Sequence, residues 1–143
     1  MAARSVRFGR RASAAMRREY AIVFCLACLS EIAVRTLSLK RAAALLRVDL
    51  HSALEPQEPL EDLPAWAVDR YRVVNHLMRN WPVDGVCLRQ SLVLGNRLRV
   101  LRPVLKIGVA RDDQAVKAHA WLEIAGRSLD TTSHRFSELS IPV

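Results

Sequence analysis

Two periods of apolar residues divide this chain. As far as about Leu101 they recur every three to four positions, the spacing of a helix with one buried face; beyond Leu105 they alternate, the spacing of a half-buried strand. The first regime predicts helices over Ala14–Arg35, Ser38–Leu46 and Pro64–Asn80, the third with Trp66, Val73, Val74 and Leu77 on one stripe. "NWPVDGVC" then breaks the pattern at Pro82 and Gly85. From Cys87 a fourth helix is expected to about Leu101. Leu94, Leu98 and Leu101 line one face and Leu88 and Leu92 extend it, so this helix should be central and largely buried. Pro103 ends it. Leu105, Ile107 and Val109, alternating with Lys106 and Gly108, then predict a strand. "RDDQ" is a turn, Val116–Ile124 a second strand, Ala125–Gly126 a tight turn and Ser128–Thr131 a third strand. Helices followed by an antiparallel meander make the class α+β, with N-terminal helices and a central helix packed on a small antiparallel sheet.

"LEPQEPLEDLP", acidic and proline-rich, is the natural divide. It separates a helical N-terminal segment, residues 1–60, from a core over 61–143, the two expected to pack as one compact domain. The 22 basic against 14 acidic residues leave a formal charge of +8, a balance open to anionic partners. The arginines are spread through helices apart from Arg4, Arg7, Arg10, Arg11, Arg17 and Arg18. With no aromatic interleaving and no recognition-helix signature, we expect no nucleic-acid role. Three cysteines do not build a disulfide framework, which favours the cytoplasm. "YAIVFCLACL" follows basic residues as a signal peptide would, but it lacks a cleavage site and Ser30–Glu31 cuts it short of a span. A buried amphipathic helix is the reading; contact of this basic end with a membrane surface is a weaker expectation.

The candidate chemistry begins with "AHAWLEIAG". On the second strand Ala118, Ala120, Leu122 and Ile124 should face the core, and His119, Trp121 and Glu123 the other side. With Ala125–Gly126 as a two-residue loop, Ile124 pairs with Arg127, Leu122 with Leu129 and Trp121 with Asp130. Asp130 then lies one diagonal step from His119, on its face. A carboxylate there would fix the imidazole tautomer and leave the other nitrogen as a base. Cys87 starts the buried helix, where unpaired N–H groups and the positive helix end favour thiolate and could hold an oxyanion. For a lone His or Cys a structural role is commoner, and that alternative stays open. Gly108 leaves room for a close backbone approach or marks a bulge. Cys25 and Cys28 form C-x-x-C within an apolar helix and are read as core packing. His51, His76 and His134 lack ligand spacing, Glu123 is read as solvated, and no phosphate loop or other cofactor signal is present.

"CLRQSLVLGNRL", "LKIGVA" and "AHAWLEIAG" with its following "LD" resemble the transglutaminase-like cysteine peptidases of lasso-peptide biosynthesis, the leader-peptidase B proteins. The resemblance is specific over residues 81–130 and looser before it; a glycine often found shortly before the "IGV" strand is absent from "VLRPVL". It implies a transglutaminase/papain-like core with Cys87, His119 and Asp130 as the catalytic residues. It also implies cleavage of a ribosomally made precursor between leader and core, with no metal or cofactor. The implied partners are that precursor peptide, a separate leader-binding protein and a lasso cyclase. A transglutaminase or acyltransferase would use the same three residues, and a non-catalytic scaffold binding leader or cyclase is the competing class.

Overall fold

A computed structural model describes residues 14–50, 62–112 and 115–139. His51 and the proline-rich divide as far as Glu61, the arginines before Ala14, and Asp113–Gln114 of the "RDDQ" turn lie outside them. The described chain runs α1 (Ala14–Thr36), α2 (Leu39–Leu45), α3 (Ala65–Arg79), α4 (Val86–Arg97), a 3-10 turn (Arg99–Leu101), β1 (Val104–Asp112), β2 (Ala115–Ile124), β3 (Arg127–Ser128) and β4 (Ser137–Glu138). The strands form one antiparallel sheet in the order β3-β2-β1-β4. The class is α+β.

Helix α4 is the hub. Residues 91–95 are all buried, and Leu92 and Leu98 join Val23 and Ala27 of α1, Val74 and Met78 of α3, and Leu105 and Leu122 of the sheet in one core. Burying a side chain such as Leu92 stabilises the fold by about 1.5–3 kcal/mol. Polar contacts set the helix orientation. Arg97, near the end of α4, donates to both Glu19 oxygens of α1 at 2.8 Å, and Arg70 of α3 donates to the Arg97 carbonyl at 2.8 Å. The 3-10 turn replaces the last helical turn expected as far as Leu101. Pro103 disfavours the right-handed helical region for the residue before it, and Arg102 ends the turn in left-handed geometry at φ 49° and ψ 55°.

The β2–β3 hairpin has the expected loop. Ala125 and Gly126 take φ 50° and 76°, a type I′ turn, which pairs Ile124 with Arg127 and sends the Leu129 N–H to the Leu122 carbonyl at 2.9 Å. The ladder stops at Glu123–Ser128, so the expected Trp121–Asp130 pair does not form. The reason lies in "SLDTTS". Ser128 Oγ accepts from the Asp130 N–H at 3.1 Å and donates to the Asp130 carbonyl at 2.9 Å, drawing the backbone into a turn.

Other expectations need correction. Ala118 is exposed, because the far half of the β1–β2 hairpin extends past the helices, whereas Trp121, on the opposite face, is only 5% exposed. Its ring lies over Gly108 of β1 and against Phe136, which precedes β4, a strand too short to show any alternation. Glu123 is not simply solvated; it accepts the Trp121 indole N–H at 3.1 Å. Only one stripe of α1 is buried: Val23, Ala27, Ser30 and Ala33. Cys25 is therefore exposed and Cys28 only half-buried, against the core-packing reading, while Phe24 and Ile32 stand 52% and 61% exposed. Among the described residues no helix is long and apolar enough to cross a membrane.

Gly108 is explained by close approach. A Cβ there would meet the Ser137 carbonyl oxygen and the Trp121 ring, each at 2.8 Å. Gly108→Ala is therefore expected to destabilise the fold by about 1–3 kcal/mol through overpacking. Urea unfolding followed by tryptophan fluorescence measures this.

Candidate active site

The turn before α4 sets the place of Cys87. Gly85 holds the position preceding the helix at φ 71° and ψ 42°, left-handed geometry that an L side chain adopts only with strain, and it offers no side chain to cap the first turn. Cys87 is the second residue of α4, half-buried, among first-turn N–H groups that no side chain satisfies. One turn on along the same face, Ser91 donates its hydroxyl to the carbonyl of Ala120 at 3.2 Å. That bond ties the Cys87 face of α4 to β2 at the residue next to His119.

His119 Nε2 is hydrogen-bonded to Asp130 Oδ2. In the neutral ring this places the proton on Nε2 and the lone pair on Nδ1. The ring is enclosed by aromatics: Phe136 lies 4.8 Å away between centroids, and Trp121 stacks at 6.1 Å. Asp130 reaches His119 from a turn rather than from a ladder position. Its Oδ1 accepts from Thr132 twice, from the backbone N–H at 2.7 Å and the hydroxyl at 2.8 Å, while Ser133 Oγ donates to its carbonyl at 2.9 Å. Partial burial pushes the Asp130 carboxyl up, but the Thr132 N–H, His119 and the Thr132 hydroxyl outweigh it and hold the group below its ordinary value of 3.8.

A carboxyl lowered in the folded chain adds stability that is complete above its unfolded value and is lost as pH falls through the lower folded value. Asp130→Asn is therefore expected to flatten the acid side of the stability–pH curve. Urea unfolding from about pH 6 down to about pH 2 measures that difference.

Cys87, His119 and Asp130 line one open cavity of about 250 Å³, together with Gln90, Tyr71 and Leu129. The Gln90 amide is turned to Asn75 Oδ1 of α3 at 2.6 Å, which fixes the wall beside Cys87. The other histidines stand apart. His76 meets Tyr20 edge-on, and His134 Nδ1 contacts the Thr131 carbonyl at 2.8 Å. The supporting residues Thr132, Ser133, Phe136 and Ser91 were not singled out from the sequence. The Ser/Thr cluster flanking Asp130 is a turn signal that marks two of them; Phe136 and Ser91 carry no periodic sign.

A half-buried thiol at an uncapped helix start, lining one cavity with an imidazole oriented by a carboxylate, is an arrangement able to transfer acyl groups through a thioester. No curated protein and no solved structure matches the chain. The family model for the transglutaminase-like superfamily matches residues 26–140, which takes in the second half of α1, all of α2, α3 and α4 and the whole sheet. The chain that carries this thiol, imidazole and carboxylate belongs to the transglutaminase-like superfamily.

Proposed function

We propose that this protein is a cysteine peptidase that removes the leader from a ribosomally made lasso-peptide precursor, with Cys87 as nucleophile, His119 as acid and base, and Asp130 as the residue that orients His119. The observation that carries the chemistry is the His119 Nε2–Asp130 bond, which leaves Nδ1 as the base within the cavity that Cys87 lines. Family membership supports peptidase or transglutaminase-type activity; the lasso precursor rests on the resemblance of residues 81–130.

Nδ1 takes the Cys87 proton and the sulfur attacks the carbonyl at the leader–core junction. The oxyanion of the tetrahedral intermediate faces the first-turn N–H groups of α4. As the C–N bond breaks, the imidazolium gives its proton to the departing core amine and the leader remains as a thioester on Cys87. Water, losing a proton to His119, then releases the leader carboxylate and restores the thiol. The freed amine is the group a partner cyclase would join to an acidic side chain. A separate leader-binding protein delivers the substrate in this scheme.

The test is mass spectrometry of a lasso precursor peptide incubated with its leader-binding protein and this chain in ¹⁸O-water. Peptidase action gives one cut at the junction and one ¹⁸O in the leader carboxylate. A leader joined to an added amine, with no label, would favour an acyltransferase; an intact precursor with the partner bound would favour a scaffold.

A further inference from the structure

Two half-buried carboxylates of α1 face α4. Glu19 takes Arg97 at the helix end, and Glu31 takes Arg89 close to its start. The second pair reaches further than the first. Arg89 Nη2 donates to Glu31 Oε1 at 3.3 Å, and its Nε meets Oε2 as an ion pair. Nη1 of the same guanidinium donates to the Gly85 carbonyl at 3.0 Å and to the Asp84 carbonyl at 3.4 Å. One planar group thus ties α1 to the left-handed turn that launches α4. Arg89 lies two positions after Cys87, about 200° round the helix, so it grips that turn from the α1 side while Cys87 lines the cavity.

The pair is enclosed. The side chains of Arg89 and Glu31 are 11% and 16% exposed. Arg35, one turn along α1, also pairs with Glu31, and the buried Trp81 indole N–H faces the carboxylate without forming a well-aligned hydrogen bond. Burial pushes the Glu31 carboxyl up, and Arg89, then Arg35 and Trp81, outweigh it and hold it below its ordinary value. A lysine could reach Glu31 or the carbonyls, but it lacks the fork that serves both.

We propose that Glu31 is a positioning residue for the reactive thiol: acting through Arg89 it fixes the Gly85 turn, and with it the placement of Cys87 and the first-turn N–H groups of α4 against His119. This rests on the reading of Cys87 as the nucleophile. It also gives the polar interruption of the apolar α1 stretch a task.

The test uses iodoacetamide alkylation of the full chain, with each cysteine followed by peptide mass mapping across pH. In the wild type, Cys87 is expected to label fastest at mildly acidic pH and to lose that advantage in His119→Ala. Absence of the advantage sinks the nucleophile reading, and this proposal with it. Given the advantage, Glu31→Gln and Arg89→Lys are expected to slow Cys87 labelling on the order of tenfold to a hundredfold and to alter its pH profile, with Cys25 unchanged. The double variant is expected to be no slower than the slower single one. Glu19→Gln is the matched control: it frees Arg97 at the far end of α4 and is expected to lower the melting temperature while leaving the Cys87 profile at wild type. Should Glu31→Gln fail to fold, Glu31→Asp, which keeps the charge and shortens the reach, is read the same way. Wild-type labelling of Cys87 in Arg89→Lys and the Glu31 variant overturns the proposal. Equal slowing by Glu19→Gln also overturns it, because general loosening would then suffice.

Discussion

Cys87→Ala is expected to lower precursor cleavage by at least about 10³-fold while leaving the melting temperature close to that of the wild type. The thiol is half-buried at the first turn of α4, where one sulfur contributes little to a core centred on Leu92, Val93 and Leu98. Chemistry and stability therefore separate cleanly at this residue. Cys87→Ser keeps the shape and a donor, yet a hydroxyl is far less readily deprotonated than a thiol, so its activity is expected to fall almost as far. Steady-state cleavage of a precursor, measured beside thermal unfolding of each variant, checks both halves of the expectation. A loss of activity matched by unfolding would point to packing instead.

The second large effect is at Asp130. Replacement by asparagine keeps the size of the side chain but exchanges an oxygen for an NH₂ group. The two hydrogen bonds from Thr132 demand an acceptor at Oδ1, so the amide nitrogen is turned toward His119 Nε2. Two donors cannot face each other. The imidazole then moves its proton to Nδ1, which removes the lone pair that should receive the thiol proton. The expected fall in turnover is about 10²–10⁴-fold, with the cavity intact. Asp130→Ala is expected to be equally inactive and less stable, since the Thr132 N–H and hydroxyl lose their acceptor. Turnover measured against pH, with Cys87 alkylation as a second readout, separates a tautomer defect from loss of structure.

The pattern of the sequence made the ends of the first three helices and the start of the fourth legible to within a residue or two, because each carries a repeating apolar stripe and a turn signal; the fourth stops at Arg97, four residues short of the expected end. Ser38 caps α2, Pro64 precedes α3 and Gly85 precedes α4. The hairpin was legible for a different reason: a two-residue loop leaves only one register that keeps Leu122 and Ile124 in the core. Period alone was blind to three things. It missed β4, two residues long and held by a glycine that admits the Ser137 carbonyl. It placed Asp130 on a strand, although the Asp130 N–H donates to Ser128 Oγ and the Asp130 carboxylate accepts the Thr132 N–H, which takes the backbone out of the ladder. It could not show that only one stripe of α1 is covered, since Phe24, Cys25 and Ile32 are as apolar as the residues packed beneath them. Cys87, His119 and Asp130 were each visible as residues with a mechanical use. Of the groups around them, Thr132 and Ser133 are local to Asp130 and show as a turn signal, whereas Phe136 and the Glu31–Arg89 pair meet their partners across the fold and leave no local mark.

The central claim is that Cys87 is a nucleophile activated by His119. Competition among the three thiols of this chain tests it most directly, because Cys25 is exposed and has the advantage of access. A limiting amount of iodoacetamide at mildly acidic pH, followed by peptide mass mapping, reads which sulfur reacts first. The account predicts that half-buried Cys87 is alkylated ahead of exposed Cys25, and that His119→Ala reverses the order. Labelling in the order of exposure, unchanged by His119→Ala, would contradict it.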